Sequence, residues 1–116
     1  MQKKQLEIIL EGRVQGIGFR WTIKNYAQKN NLTGWVMNLE EGSIKAIIQG
    51  NKEDLDKFLE WMKNSPGFSK VTSLDFKINK PKEIFKDFSI KREYPLFQDK
   101  SRSFINLGKS IFNHGD

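Results

Sequence analysis

The chain reads as an α+β domain in which two helices pack on one face of a mostly antiparallel sheet. Three observations predict this. Apolar residues alternate with period two in several short runs. They recur with the helical period in two longer runs. The runs follow one another as strand, helix, strand, strand, helix, strand, with a short fifth strand at the end. That order is the ferredoxin-like split βαβ sandwich.

The elements follow in sequence. Gln5–Glu11 alternates Leu6, Ile8 and Leu10 on one face and predicts a strand. Gly12–Gly18 is a glycine-rich loop. A helix follows, with Phe19, Ile23, Tyr26 and Ala27 on one stripe, ending near Lys29–Asn31. Gly34–Asn38 and Ser43–Gln49 predict two strands, and the short Glu40-Glu41-Gly42 between them predicts a hairpin. Asn51 is placed to cap a second helix, with Glu53 and Asp54 in its first turn. Leu55, Phe58, Leu59 and Met62 form its apolar stripe, and Asn64-Ser65-Pro66-Gly67 stops it. Val71–Asn79 alternates Leu74, Phe76 and Ile78. After Lys80-Pro81-Lys82, Phe88 and Ile90 mark the short last strand.

Composition narrows the function classes. The 116 residues suit one main domain, residues 1–91, with 92–116 as a C-terminal extension. The absence of cysteine excludes a disulfide framework, a thiolate nucleophile and Cys-ligated metal centres. No metal and no cofactor are expected. The basic start is followed by a run that Glu7 and Glu11 interrupt, too short and too charged for a signal peptide. No stretch reaches the ~20 apolar residues of a membrane span. A cytoplasmic protein with no membrane partner is therefore expected. The net charge of +6 suggests an anionic partner without naming it. Its distribution says more. Asp and Glu are absent from Gly12 through Leu39, where Arg13, Arg20, Lys24 and Lys29 all lie. A surface with no special task mixes its signs, so this stretch points to a local anion site.

The glycine-rich loop is the place for it. Glycine lets backbone N–H groups turn inward and approach a ligand closely. The start of a helix adds unpaired N–H groups and a partial positive charge. Arg20, in the first turn, opposes the helix dipole unless an anion offsets both charges. Its planar fork matches two phosphoryl oxygens. The dinucleotide fingerprint fails, because Trp21 stands where its third glycine belongs, and no Gly-Lys-Ser/Thr follows for a Walker loop. Glycines alone leave a tight turn and an anion site equally open.

The full string decides between them. Gly12-Arg13-Val14-Gln15-Gly16-Ile17-Gly18-Phe19-Arg20 resembles the first signature of the acylphosphatases. Gly34-Trp35-Val36-Met37-Asn38, with Gly42 four residues on, resembles the second. The resemblance covers about Leu6 to Lys91. Ile17 stands where many members have valine, and the tail exceeds the usual family domain. The resemblance implies that the backbone N–H groups of Gln15, Gly16, Ile17, Gly18 and Phe19, with the Arg20 guanidinium, hold the phosphoryl group. It implies that Asn38 positions the attacking water. Taken alone, Asn38 reads as a turn-entry residue and Arg20 as a surface helix cation; the two signatures together favour the catalytic reading.

The implied activity is hydrolysis of small acyl phosphates to carboxylate and inorganic phosphate. It is expected to proceed without metal and with little pH dependence across neutrality. Two other readings stay in view. One is an RNA-binding module, against which the RNP signature is missing, so no nucleic-acid partner is expected. The other is a sensor or accessory domain that keeps the cradle. In the tail, Phe104, Ile105, Leu107, Ile111 and Phe112 predict a short amphipathic helix. The favoured reading is an appendage on the chain's own domain, and hence a monomer. An arm packed on a second subunit is the alternative. His114, in the tail, is given no role.

Overall fold

The computed structural model describes residues 3–67, 69–92 and 109–111. The predicted order is found: β1 (Lys4–Arg13), α1 (Phe19–Lys29), β2 (Thr33–Asn38), β3 (Ile44–Gly50), α2 (Lys52–Lys63), β4 (Lys70–Asn79) and β5 (Phe88–Ile90). A further strand, β6 (Lys109–Ile111), follows. The sheet runs β5-β2-β3-β1-β4-β6. β1 and β2 flank β3, and β3 and β4 flank β1, so both βαβ units are split by an antiparallel strand. Pairing is antiparallel throughout except for β5, which lies parallel to β2.

Period-two alternation separates the two faces of the sheet. Leu6, Ile8 and Leu10 of β1 meet Ile44, Ala46 and Ile48 of β3, together with Leu74 of β4, on the helix side. Phe19, Ile23 and Ala27 of α1 and Leu55, Phe58, Leu59 and Met62 of α2 close this core. The helices also touch through rings. Tyr26 stacks on Trp61 at 4.0 Å between centroids and meets Phe58 edge-on at 5.8 Å. The other face carries a small cluster of Ile9, Met37 and Leu39, with Trp35 packed against it. Phe76 and Phe88 belong to the helix-side core. The Lys91 ammonium lies 4.4 Å over the Trp35 ring. Among the aromatics on described strands, Trp35 alone is on the face away from the helices, whereas an RNA-binding sheet stacks two or three bases on exposed strand aromatics.

α2 is capped as its sequence predicts: the Asn51 side chain accepts a hydrogen bond from Asp54 N at 2.7 Å. The tail expectation needs a correction at one residue. Ile111 lies in β6, paired with Ser73 of β4, and not in a helix. An edge strand offers unpaired N–H and C=O groups, and pairing there outweighs a weak local helical pattern. Phe104, Ile105, Leu107 and Phe112 lie outside the described residues.

Where β1 ends, the register with β4 slips between Glu11 and Gly12. This bulge turns the chain toward the glycine loop. Gly12 has φ 127°, and a Cβ on it would sit 2.0 Å from the Lys70 carbonyl oxygen. Gly12→Ala is therefore expected to lower the unfolding free energy by on the order of 3 kcal/mol, through strain and forced strand separation. Urea denaturation checks this; a loss below about 0.5 kcal/mol would contradict it.

Candidate active site

The loop between β1 and α1 is pinned by its apolar residues and open at its glycines. Val14 and Phe19 are buried, and Ile17 packs against the core. Gly16 and Gly18 are exposed, with φ of 77° and 76° and nothing within 4 Å of a hypothetical Cβ. The left-handed turns that these two residues adopt are ones that side chains rarely enter. The result is an arch anchored by Val14 and Phe19 whose outer side is bare backbone.

α1 starts from this arch without a conventional cap. Gly18 is its N-cap residue and offers no side-chain hydrogen bond, and the first turn contains no acid. This contrasts with α2, which has both. The first N–H groups of a helix have no partner within it, so those of α1 are left to whatever approaches the arch. Arg20 sits in this turn, half-buried, and enters no ion pair among the described residues. A cation at a helix start is unfavourable by ~0.3–1 kcal/mol at exposed sites. Here no acid among the described residues forms an ion pair that would offset it.

Asn38 ends β2. Met37 faces the far cluster and Val36 the core, so alternation places Asn38 on the helix side, level with Ile44 and Leu10. Its Oδ1 is buried and receives no hydrogen bond among the described residues. A buried acceptor left unsatisfied costs about 1–3 kcal/mol, which makes it an informative exception.

The two motifs meet through Gln15. Its Nε2 donates to the Leu39 carbonyl at 2.9 Å and to the Ser43 carbonyl at 2.8 Å. Leu39 immediately follows Asn38, and Ser43 closes the same hairpin by accepting from Leu39 N at 2.8 Å. Sequence reading gives Gln15 a role through its backbone alone. The side chain's role is absent from that reading, because backbone carbonyls carry no sequence signal.

Beside this arrangement lies a cavity of about 230 Å³, lined by Glu11, Gly12, Glu41, Gly42 and Ser43. Two carboxylates make it a poor seat for an anion, so the bare arch is the better anion site. Among the described residues, no group of three or more His, Cys, Asp or Glu is placed to hold a metal. No helix among them is long and apolar enough to cross a membrane.

Known proteins share this arrangement of elements. The family model for acylphosphatase matches residues 6–90. An acylphosphatase of Bacillus licheniformis is 42% identical over 88 residues, covering 74% of this chain and 96% of that protein. The crystal structure of acylphosphatase from Bacillus subtilis superposes with a TM-score of 0.72 at 39% identity, covering 76% of this chain and 98% of that one. Full-length HypF in its phosphate- and nucleotide-bound form aligns with a TM-score of 0.71 at 33% identity, over 79% of this chain but 12% of its own. With both motifs inside the matched segment and the fold in agreement, this chain belongs to the acylphosphatase family.

Proposed function

We propose that this protein hydrolyses small acyl phosphates, releasing a carboxylate and inorganic phosphate. The observation that carries the reading is that Gln15 bonds the arch to the hairpin bearing Asn38. Two motifs far apart in sequence thus form one site. Relatives that match over nearly their whole length are acylphosphatases, which supports the same activity here.

The chemistry fits the residues. The N–H groups of Gln15, Gly16, Ile17, Gly18 and Phe19 and the Arg20 guanidinium receive the phosphoryl oxygens. Asn38 Oδ1 accepts a hydrogen bond from the attacking water and aims it at phosphorus. Phosphoryl transfer passes through a loose transition state, where positioning and charge stabilisation supply most of the catalysis. Each preorganised donor is worth ~2.7–4 kcal/mol, and an oriented water adds a proximity gain. The leaving carboxylate has a conjugate acid of pKa near ~4 and departs without a proton. No general acid is needed, which favours acyl phosphates over phosphomonoesters, whose alkoxide leaving group needs one. We further infer a cytoplasmic monomer in which 92–116 extends a catalytic domain of 1–91.

The test is hydrolysis of benzoyl phosphate, with EDTA present and absent. Turnover is expected, unchanged by EDTA and nearly flat across neutral pH, because Arg and Asn side chains do not titrate there. A folded protein with no turnover would overturn the reading. Loss of activity on chelation, restored by Mg²⁺, would overturn its metal independence.

A further inference from the structure

Gln15 stands in the arch, yet its side chain turns away from the arch's open side. Both of its N–H protons are spent on the carbonyls of Leu39 and Ser43, at 2.9 and 2.8 Å. Carbonyls only accept, so the amide orientation is fixed by its partners. Those partners are the pair that closes the hairpin: Leu39 N donates to the Ser43 carbonyl at 2.8 Å, and Gly42 N to the Leu39 carbonyl at 3.1 Å. Asn38 is the last residue of β2 and pairs with Ile44, the first of β3. A strand end of this kind frays readily unless it is tied down. The anchors on either side are firm. Val14 is 1% exposed before Gln15, and Leu39 3% exposed after Asn38.

We infer that Gln15 is a positioning residue whose side-chain amide clamps the end of β2 to the arch. It holds Asn38 in register with the N–H groups of Gly16–Phe19. This rests on the proposed hydrolysis and assigns the Gln15 side chain to orientation of the attacking water. Its backbone remains part of the anion cradle. The clamp therefore serves kcat, while phosphate affinity belongs to the N–H groups and Arg20.

The experiment compares wild type, Gln15→Ala, Gln15→Met, Asn38→Ala and the Gln15→Ala/Asn38→Ala double variant on benzoyl phosphate. Inorganic phosphate serves as a competitive probe of the cradle. A misplacement of about 1 Å costs up to ~100-fold in rate. Gln15→Ala is expected to lower kcat by about 10- to 100-fold, with the inhibition constant for phosphate changed less than about threefold. In the Asn38→Ala background the same change is expected to have no further effect, since the clamp acts through Asn38. Gln15→Met keeps the length and packing but has no donors, and carries the test if the alanine variant does not fold. A kcat loss that multiplies with that of Asn38→Ala, or one matched by weakened phosphate binding, would overturn the inference and leave the hydrolysis intact. No change in kcat in either Gln15 variant would also overturn it. Absence of turnover in the folded wild type would remove the proposed function and the inference with it.

Discussion

Arg20→Ala is expected to lower kcat/KM for benzoyl phosphate by about three orders of magnitude without unfolding the protein. An arginine that stabilises a transferring phosphoryl group is worth ~10³–10⁵ in rate. In this structure Arg20 has no protein acid to pair with among the described residues. It stands at a helix start that carries no cap and no acid. Removing it relieves a repulsion with the helix dipole of ~0.3–1 kcal/mol. The thermal midpoint is therefore expected to hold steady or rise while activity collapses. Arg20→Lys keeps the charge but loses the fork, and should recover only part of the rate. Phosphate inhibition should weaken in both variants. A marked drop in stability with activity retained would show that Arg20 serves the fold instead.

Asn38→Ala is the second large effect. It is expected to lower kcat by about 10² to 10³-fold, comparable to the loss of one preorganised hydrogen-bonding group in an active site. Inorganic phosphate should bind as before, because the cradle's donors are untouched. The unsatisfied Oδ1 makes the variant diagnostic. If that atom were structural, its removal would leave donors stranded and lower stability. Because it is a buried acceptor with no donor among the described residues, its removal should leave stability unchanged or raised by up to ~1–3 kcal/mol. Denaturation midpoints of wild type and variant decide between these. A destabilised Asn38→Ala with weakened phosphate inhibition would contradict the assignment.

The residues that made the fold legible are those whose role is local. Leu6, Ile8 and Leu10 declare a strand by alternation, Leu55 to Met62 a helix by period, and Asn51 a cap by its type. Boundaries moved by a residue or two: β1 runs to Arg13 because its bulge keeps it paired with Lys70 past the last apolar position. Arg20 and Asn38 could be proposed from the sequence because the motifs that hold them are contiguous. Less legible was whatever depends on distant backbone. Nothing around Ile111 announces pairing with Ser73, since an edge strand is recruited by the neighbour it satisfies. Nor does Gln15 reveal the use of its side chain, because its partners are main-chain oxygens 24 and 28 positions away.

The central place of β1 has a consequence for how the site comes into being. Leu6 faces Ile48 on one side and Ile78 on the other, so the strand that leads into the arch is completed only by partners from both later stretches of the chain. Closing such long loops carries its entropic cost before the contacts that offset it are made, which makes domains of this kind slower to fold than helical bundles. A growing polypeptide that has released both motifs, but not yet residues 70–79, would hold every side chain of the proposed chemistry and still lack the bulge that opens the cradle. Catalytic competence in this architecture is thus a late product of topology, withheld until β4 has docked on β1.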